Sequence, residues 1–141
     1  MRETTVADIP AVFDFSSNKI KKMFELMGSE CSDEQIRRAM FSLVDSSFVE
    51  YDDNGIVAIL AGTANQMIVT GEAVWSEMFF FVASRAKMSV PRMITQVEML
   101  LEARGFKSMT LGVSVNSLRI KKMYKKLGYS FIDAHYIKRL K

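Results

Sequence analysis

The chain has 141 residues, 49% of them hydrophobic and 25% charged, with a formal net charge of +3. That is the make-up of a single globular domain over residues 1–141, long enough to bury most of the apolar surface of its unfolded form, and it excludes a disordered segment. Cys31 as the one cysteine excludes an internal disulfide, and with His135 the one histidine a protein zinc site lacks ligands.

No apolar run follows Met1 to Thr5 that could serve as a signal peptide, and the longest apolar stretch is strand-length and interrupted by Glu77. A cytoplasmic location without a membrane partner is therefore expected. Positive charges are grouped at Lys19, Lys21 and Lys22, at Lys121, Lys122, Lys125 and Lys126, and at Lys138, Arg139 and Lys141. Such groups suit nucleic acid or an anionic cofactor. The lysines near 121–126, however, lie opposite Ile120, Met123 and Leu127, as on a solvated face, and no aromatic residues interleave for base stacking. Nucleic acid is not the expected partner.

The first predicted helix follows Pro10, with Val12, Phe13, Ser16, Ile20, Phe24 and Met27 on one stripe and Gly28 as its stop. Ser32 and Gln35 have the spacing of a capping box and open a second helix through Ile36, Ala39, Met40 and Leu43. Strands are expected at Phe48 to Tyr51 and from Ile56 to about Thr63, around a turn at Asp52 to Gly55. A further turn near Thr70 and Gly71 leads into a strand from Ala73 to Ala83, whose Phe79 to Val82 core suggests cover on both faces. From Ser89 to Arg104, the residues Met93, Ile94, Val97, Leu100 and Leu101 mark an amphipathic helix ended by Gly105. Leu111, Val113 and Val115 alternate as a strand, and Ile120, Met123, Tyr124 and Leu127 return to helical spacing before Gly128. Ser130 to Asp133 and Ala134 to Leu140 read as two closing strands.

The segment from Leu111 to Tyr129, a valine-rich strand, an Asn-led turn and a helix carrying Tyr124 ahead of Gly128 and Tyr129, resembles the C-terminal half of the GNAT acyltransferase superfamily. Arg2 to Pro10 is similar to the opening of that family, in which a strand ends and the first helix begins at a Thr/Asp turn, so the first strand here is very short. Nearly the whole chain follows the order β-α-α-β-β-β-α-β-α-β-β. The resemblance implies an α/β (α+β) fold with a mixed central sheet, helices on both faces, and strands 74–83 and 111–115 that splay apart around a cleft. It also admits a homodimer.

In the family a glycine-rich loop ahead of the central helix holds the coenzyme A pyrophosphate on backbone N–H groups. The matching stretch is Arg85, Ala86, Lys87, Met88, Ser89 and Val90. Arg85 fits, but Met88 and Val90 replace small residues, β-branched Val90 resists positive φ, and Pro91 contributes no amide. Ser89 is a candidate N-cap or phosphate ligand, and Arg85, Lys87 and Arg92 can offer charge-assisted contacts. Similar glycine-poor loops occur in divergent GNAT-like proteins, phage-encoded ones included, not all of them acetyltransferases.

The resemblance implies acetyl-CoA as cosubstrate and direct transfer to a primary amine in a ternary complex, which needs a base, oxyanion donors and an acid. Tyr124 takes the place of the acid; at helical spacing it can equally be a core aromatic. Asn116 or Ser117 would contact the coenzyme, and backbone groups at Phe81, Val82 and Ala83 would pair with its pantetheine arm. Glu77 is the candidate base, with Ser76 the alternative for that family position, and one residue of slip changes the face. His135 is a weaker candidate base, and Cys31, without a His partner in its motif, reads as structural.

Two functions follow. One is an acetyl-CoA-dependent N-acetyltransferase acting on a small-molecule or peptide amine. The other is a GNAT-like binding or structural protein that has lost acetyl-CoA.

Overall fold

Local sequence signals set most element boundaries. The Ser32 N–H donates to Gln35 Oε1 at 2.8 Å and the Gln35 N–H to Ser32 Oγ at 3.2 Å, so the expected capping box opens the second helix. Gly28, Gly105 and Gly128, all at positive φ, follow the ends of three helices. A computed structural model of the chain describes residues 1–113, 117–132 and 138–140. The elements are β1 (Arg2–Glu3), α1 (Ile9–Leu26), α2 (Asp33–Leu43), β2 (Ser47–Asp52), β3 (Gly55–Gln66), β4 (Ala73–Val82), α3 (Val90–Ala103), β5 (Ser108–Thr110) and α4 (Leu118–Lys126), with a 3-10 helix at Ser84–Ser89 leading into α3.

The sheet order is β1-β2-β3-β4-β5. The first three pairings are antiparallel and β4 pairs β5 in parallel. Residues from α1 and α2 form one core against Val49, Ile59, Phe79 and Phe81. On the opposite face Val97 and Leu101 of α3 pack with Phe48, Leu60, Trp75 and Phe80. The sheet is thus covered by helices on both faces.

Trp75 and Phe80 share a face although they stand five positions apart, an odd offset that in a regular strand would put them on opposite faces. The reason is a bulge: Ala61 pairs with Phe79 and Gly62 with Glu77, so Met78 is the extra residue on β4 and its side chain is exposed. Trp75 is fully buried, donates its indole N–H to Ser46 O at 3.1 Å and meets Phe48 edge-on. Its ring lies directly on Gly62, where an added Cβ would fall 2.4 Å from the ring and 2.4 Å from Ser76 O.

Three expectations change. The strand placed at Leu111 to Val115 is instead Ser108–Thr110; Leu111 to Val113 have left the ladder, and Ser114 and Val115 lie outside the described residues. The loop at Arg85 to Val90 is a 3-10 helix running into α3. Of the closing strands, Ser130 to Ile132 and Lys138 to Leu140 carry no strand pairing, and residues 133–137 lie outside the described set.

At the start of the chain, Arg2 grips buried Asp8 through two hydrogen bonds of 2.7 and 2.8 Å, and the Thr5 N–H and Tyr51 O–H donate to the same carboxylate. These bonds, Arg2 foremost, hold the Asp8 carboxyl well below the usual carboxylate range although burial opposes them.

Two outcomes are expected. Gly62→Ala should destabilise the fold by about 3 kcal/mol, since backbone and a buried indole both stand in the way; urea unfolding followed by Trp75 fluorescence measures it. Asp8 has a lower value folded than unfolded, so its stabilisation is complete above about pH 4 and is lost as pH falls further. Asp8→Asn should be less stable at neutral pH and show a shallower acid loss in the same unfolding experiment.

Candidate active site at the parting of two strands

β4 is longer than its parallel partner. Pairing between β4 and β5 runs from Val74 with Ser108 to Ser76 with Thr110 and stops, while β4 continues to Val82. Beyond that point the two chains part, and the first residue past the last pair is Glu77. Its Oε2 accepts the Gly112 N–H at 2.7 Å, a side chain standing where the next backbone pair would have been. Burial pushes the Glu77 carboxyl up to about 7, opposed by the Gly112 hydrogen bond.

From the other side, α4 delivers Tyr124. The helix begins where Ser117 Oγ accepts the Ile120 N–H at 3.3 Å and ends at Gly128, with the Tyr129 N–H bonding Tyr124 O at 3.0 Å. No residue of α4 is fully buried, and Tyr124 is half-buried. Its hydroxyl donates to Gly112 O at 3.1 Å and its ring lies 5.7 Å from that of Tyr129. Burial and then the Glu77 charge push the phenol up to about 12, leaving it neutral and able to donate a proton at neutral pH. Glu77 and Tyr124 therefore converge on one residue, Gly112.

Along the free edge of β4, the Ala83 N–H bonds Val57 O at 2.7 Å. Antiparallel alternation then turns the Phe81 amide to β3 as well and leaves the amides of Phe80 and Val82 facing the parting. Of the three backbone positions expected to meet a pantetheine arm, Val82 has the required direction, whereas Phe81 and Ala83 do not.

The charged residues of the loop are engaged elsewhere. Arg85 holds Asp52 through two bonds of 2.7 and 3.1 Å, and Arg92 pairs with Glu50 at 2.5 Å and bonds Gln96 at 2.9 Å. Lys87 makes no ion pair among the described residues. Met88 is exposed, so its side chain does not fill the loop, and no residue from 84 to 92 has positive φ. Without glycine the chain takes the right-handed region and coils, with Ala86 N–H bonding Ala83 O and Val90 N–H bonding Lys87 O. Ser89 has helical backbone angles and makes no capping bond. The free donors of the combined helix therefore lie at Ser84 and Arg85, earlier than the expected Met88 to Val90.

Among the remaining candidates, Ser117 spends its hydroxyl on the α4 cap, and Ser76 is held in the ladder between Thr63 and Thr110. Half-buried Cys31 packs against the core under α1 and α2. Asn116 and His135 lie outside the described residues. Sequence reasoning passed over Gly112, Asp52 and Glu50. Gly112 did leave a signal, since a glycine inside an alternating strand pattern often marks irregular backbone; the two acids, on an ordinary hairpin, left none.

No protein-family model and no curated protein matches the sequence. Solved structures do. A possible acetyltransferase from Clostridium difficile is 16% identical with a TM-score of 0.71, the match covering 99% of this chain and 95% of that one. A GNAT family acetyltransferase from Staphylococcus aureus is 15% identical with a TM-score of 0.64, over 99% and 96% of the two chains. AAC(6')-Iy, in complex with the bisubstrate analog CoA-S-monomethyl-acetylneamine, is 14% identical with a TM-score of 0.71, over 99% and 96%. The chain has the fold of the GNAT acetyltransferases.

A raised carboxyl at Glu77 carries a sign. Its folded value of about 7 exceeds that of an unfolded glutamate, so the stability it contributes is full below about pH 4 and is lost as pH rises through 7. Glu77→Gln should therefore gain stability relative to the parent at pH 8 to 9 and gain little at pH 4, as thermal unfolding across pH would show.

Proposed function

We propose that the protein is an N-acetyltransferase that moves an acetyl group from acetyl-CoA to a primary amine, of a small molecule or a peptide, by direct transfer with both substrates bound. The observation that carries this reading is the convergence of a carboxyl near neutral pKa and a neutral phenol on Gly112, at the point where β4 and β5 part. Acetyl-CoA supplies the acetyl thioester. Glu77 takes the proton of the incoming ammonium, a role suited by a value near the working pH, and Tyr124 gives its proton to the departing thiolate. The outward amides of Phe80 and Val82 suit an extended arm added beside β4, and the donors at Ser84 and Arg85, with Lys87 beside them, suit the pyrophosphate.

A second reading, a GNAT-like protein that binds or assembles without acetyl-CoA, is favoured by the ion pairs that hold Arg85 and Arg92 on β2. Calorimetric titration with acetyl-CoA separates the two. Binding should be micromolar or weaker, roughly −8 kcal/mol or less favourable, and should weaken further with salt. No heat and no displacement at millimolar acetyl-CoA, with the protein folded, would leave the second reading standing.

Two kinetic outcomes are expected if binding is found. Tyr124→Phe should lower turnover by roughly 10²-fold while retaining coenzyme affinity. Turnover should rise with pH through an inflection near the Glu77 value of about 7, because the base must first lose its proton, and Glu77→Gln should abolish that inflection in a pH–rate profile.

A further inference from the structure

Leu111 to Val113 follow β5 but belong to no ladder. Gly112, in their middle, is bonded among the described residues by two side chains: its N–H by Glu77 and its carbonyl by Tyr124. Those two groups belong to successive peptide planes, joined by the φ and ψ of the residue type with the greatest backbone freedom. The glycine is not required for space or for an unusual conformation. A Cβ there would meet Glu77 Oε2 at an ordinary 3.9 Å, and its φ is not positive. With no ladder bond on Leu111 to Val113 and so much freedom at the glycine itself, the place of the Gly112 carbonyl, and hence of the Tyr124 hydroxyl, depends on the anchor that Glu77 gives this stretch at its N–H.

We infer that Glu77 is also a positioning residue for Tyr124, acting across Gly112. One carboxylate oxygen, Oε2, fixes the Gly112 backbone, whose carbonyl then holds the phenol. The carboxylate has a second oxygen, Oε1, for proton transfer, so the two tasks can fall to different atoms of one side chain. The consequence for turnover rests on the acetyl-transfer reading; the positioning itself does not.

The two tasks separate by substitution. Glu77→Gln retains an acceptor for the Gly112 N–H and cannot serve as a base, whereas Glu77→Leu removes both functions and places an apolar group where a charge is disfavoured, so that folding is not at risk. In the free protein, Gly112 amide hydrogen exchange should stay within about threefold of the parent in Glu77→Gln and accelerate by about tenfold or more in Glu77→Leu. The Cζ resonance of labelled Tyr124 should keep the signature of a bonded phenol in the first variant and lose it in the second. In the transferase assay, Tyr124→Phe should cost roughly 10²-fold in the Glu77→Gln background and less than about tenfold in the Glu77→Leu background, the non-additivity expected of coupled groups. Equal factors in both backgrounds, or Gly112 exchange and Tyr124 resonance indifferent to Glu77→Leu, would overturn the inference. A protein that neither binds nor turns over acetyl-CoA would end the acetyl-transfer reading, and the exchange and resonance measurements would still decide the positioning.

Discussion

The site depends on a mismatch of length between two neighbouring strands. β4 has ten residues and β5 three, and the ladder they share ends at Ser76 and Thr110. Past that point the outward N–H and C=O groups of β4 have no strand to pair with among the described residues, which in a buried sheet would be costly and at an open cleft offers a binding edge. Glu77 stands at the fork. The bulge at Met78 then changes which residues face which helices, so that Trp75 and Phe80 both reach α3 while Phe79 and Phe81 stack 5.1 Å apart under α1 and α2. Gly62 permits this, because the indole of Trp75 occupies the space that any side chain there would need.

Electrostatics pull the loop ahead of α3 in two directions. Arg85 and Arg92 have the charge to meet phosphates and spend it on Asp52 and Glu50 of β2. The Arg85–Asp52 pair is partly exposed on both sides, at 45% and 38%, and exposed pairs of this kind are worth about 0–1 kcal/mol. An incoming anion of higher charge can therefore compete for Arg85 at small cost. Arg92 shares Glu50, a carboxylate 15% exposed, with the Met1 ammonium, so releasing Arg92 would leave that carboxylate with one cation in place of two. The ion pairs thus leave Arg85 easier to release than Arg92, and the 3-10 coil places the first amides of the helical stretch at Ser84 and Arg85.

Much of the architecture was legible in local signals. Ser32 and Gln35, the glycines after α1, α3 and α4, and the turn ahead of Gly55 act over a few residues, and each appears where the pattern placed it. Tyr124 and Glu77 were candidates through the family resemblance of the segments that carry them, and the fold brings both to the fork. The strand after α3 was misplaced because Leu111, Val113 and Val115 alternate as a strand does, and alternation records which residues prefer a sheet surface without recording whether a neighbour remains to pair with. The loop was misread for a related reason: lack of glycine argued that the usual shape was unfavourable and did not say which shape would replace it.

By itself, then, the sequence determined the element order through α4, the Ser32 cap and the glycine helix stops, the hairpin between β2 and β3 and the residue types available for acid–base work, since all of these are set by propensity, periodicity and short-range hydrogen bonding. Tertiary structure alone decided that Met78 is the bulge, that Phe80 and Val82 rather than Phe81 and Ala83 present their amides to the cleft, that Arg85 and Arg92 answer to Asp52 and Glu50, and that Glu77 and Tyr124 meet at Gly112. Each of those outcomes depends on the meeting of segments 12 to 42 residues apart in the chain. A shift of one residue in strand register reverses the direction of every amide and side chain beyond it, and no local pattern carries that information.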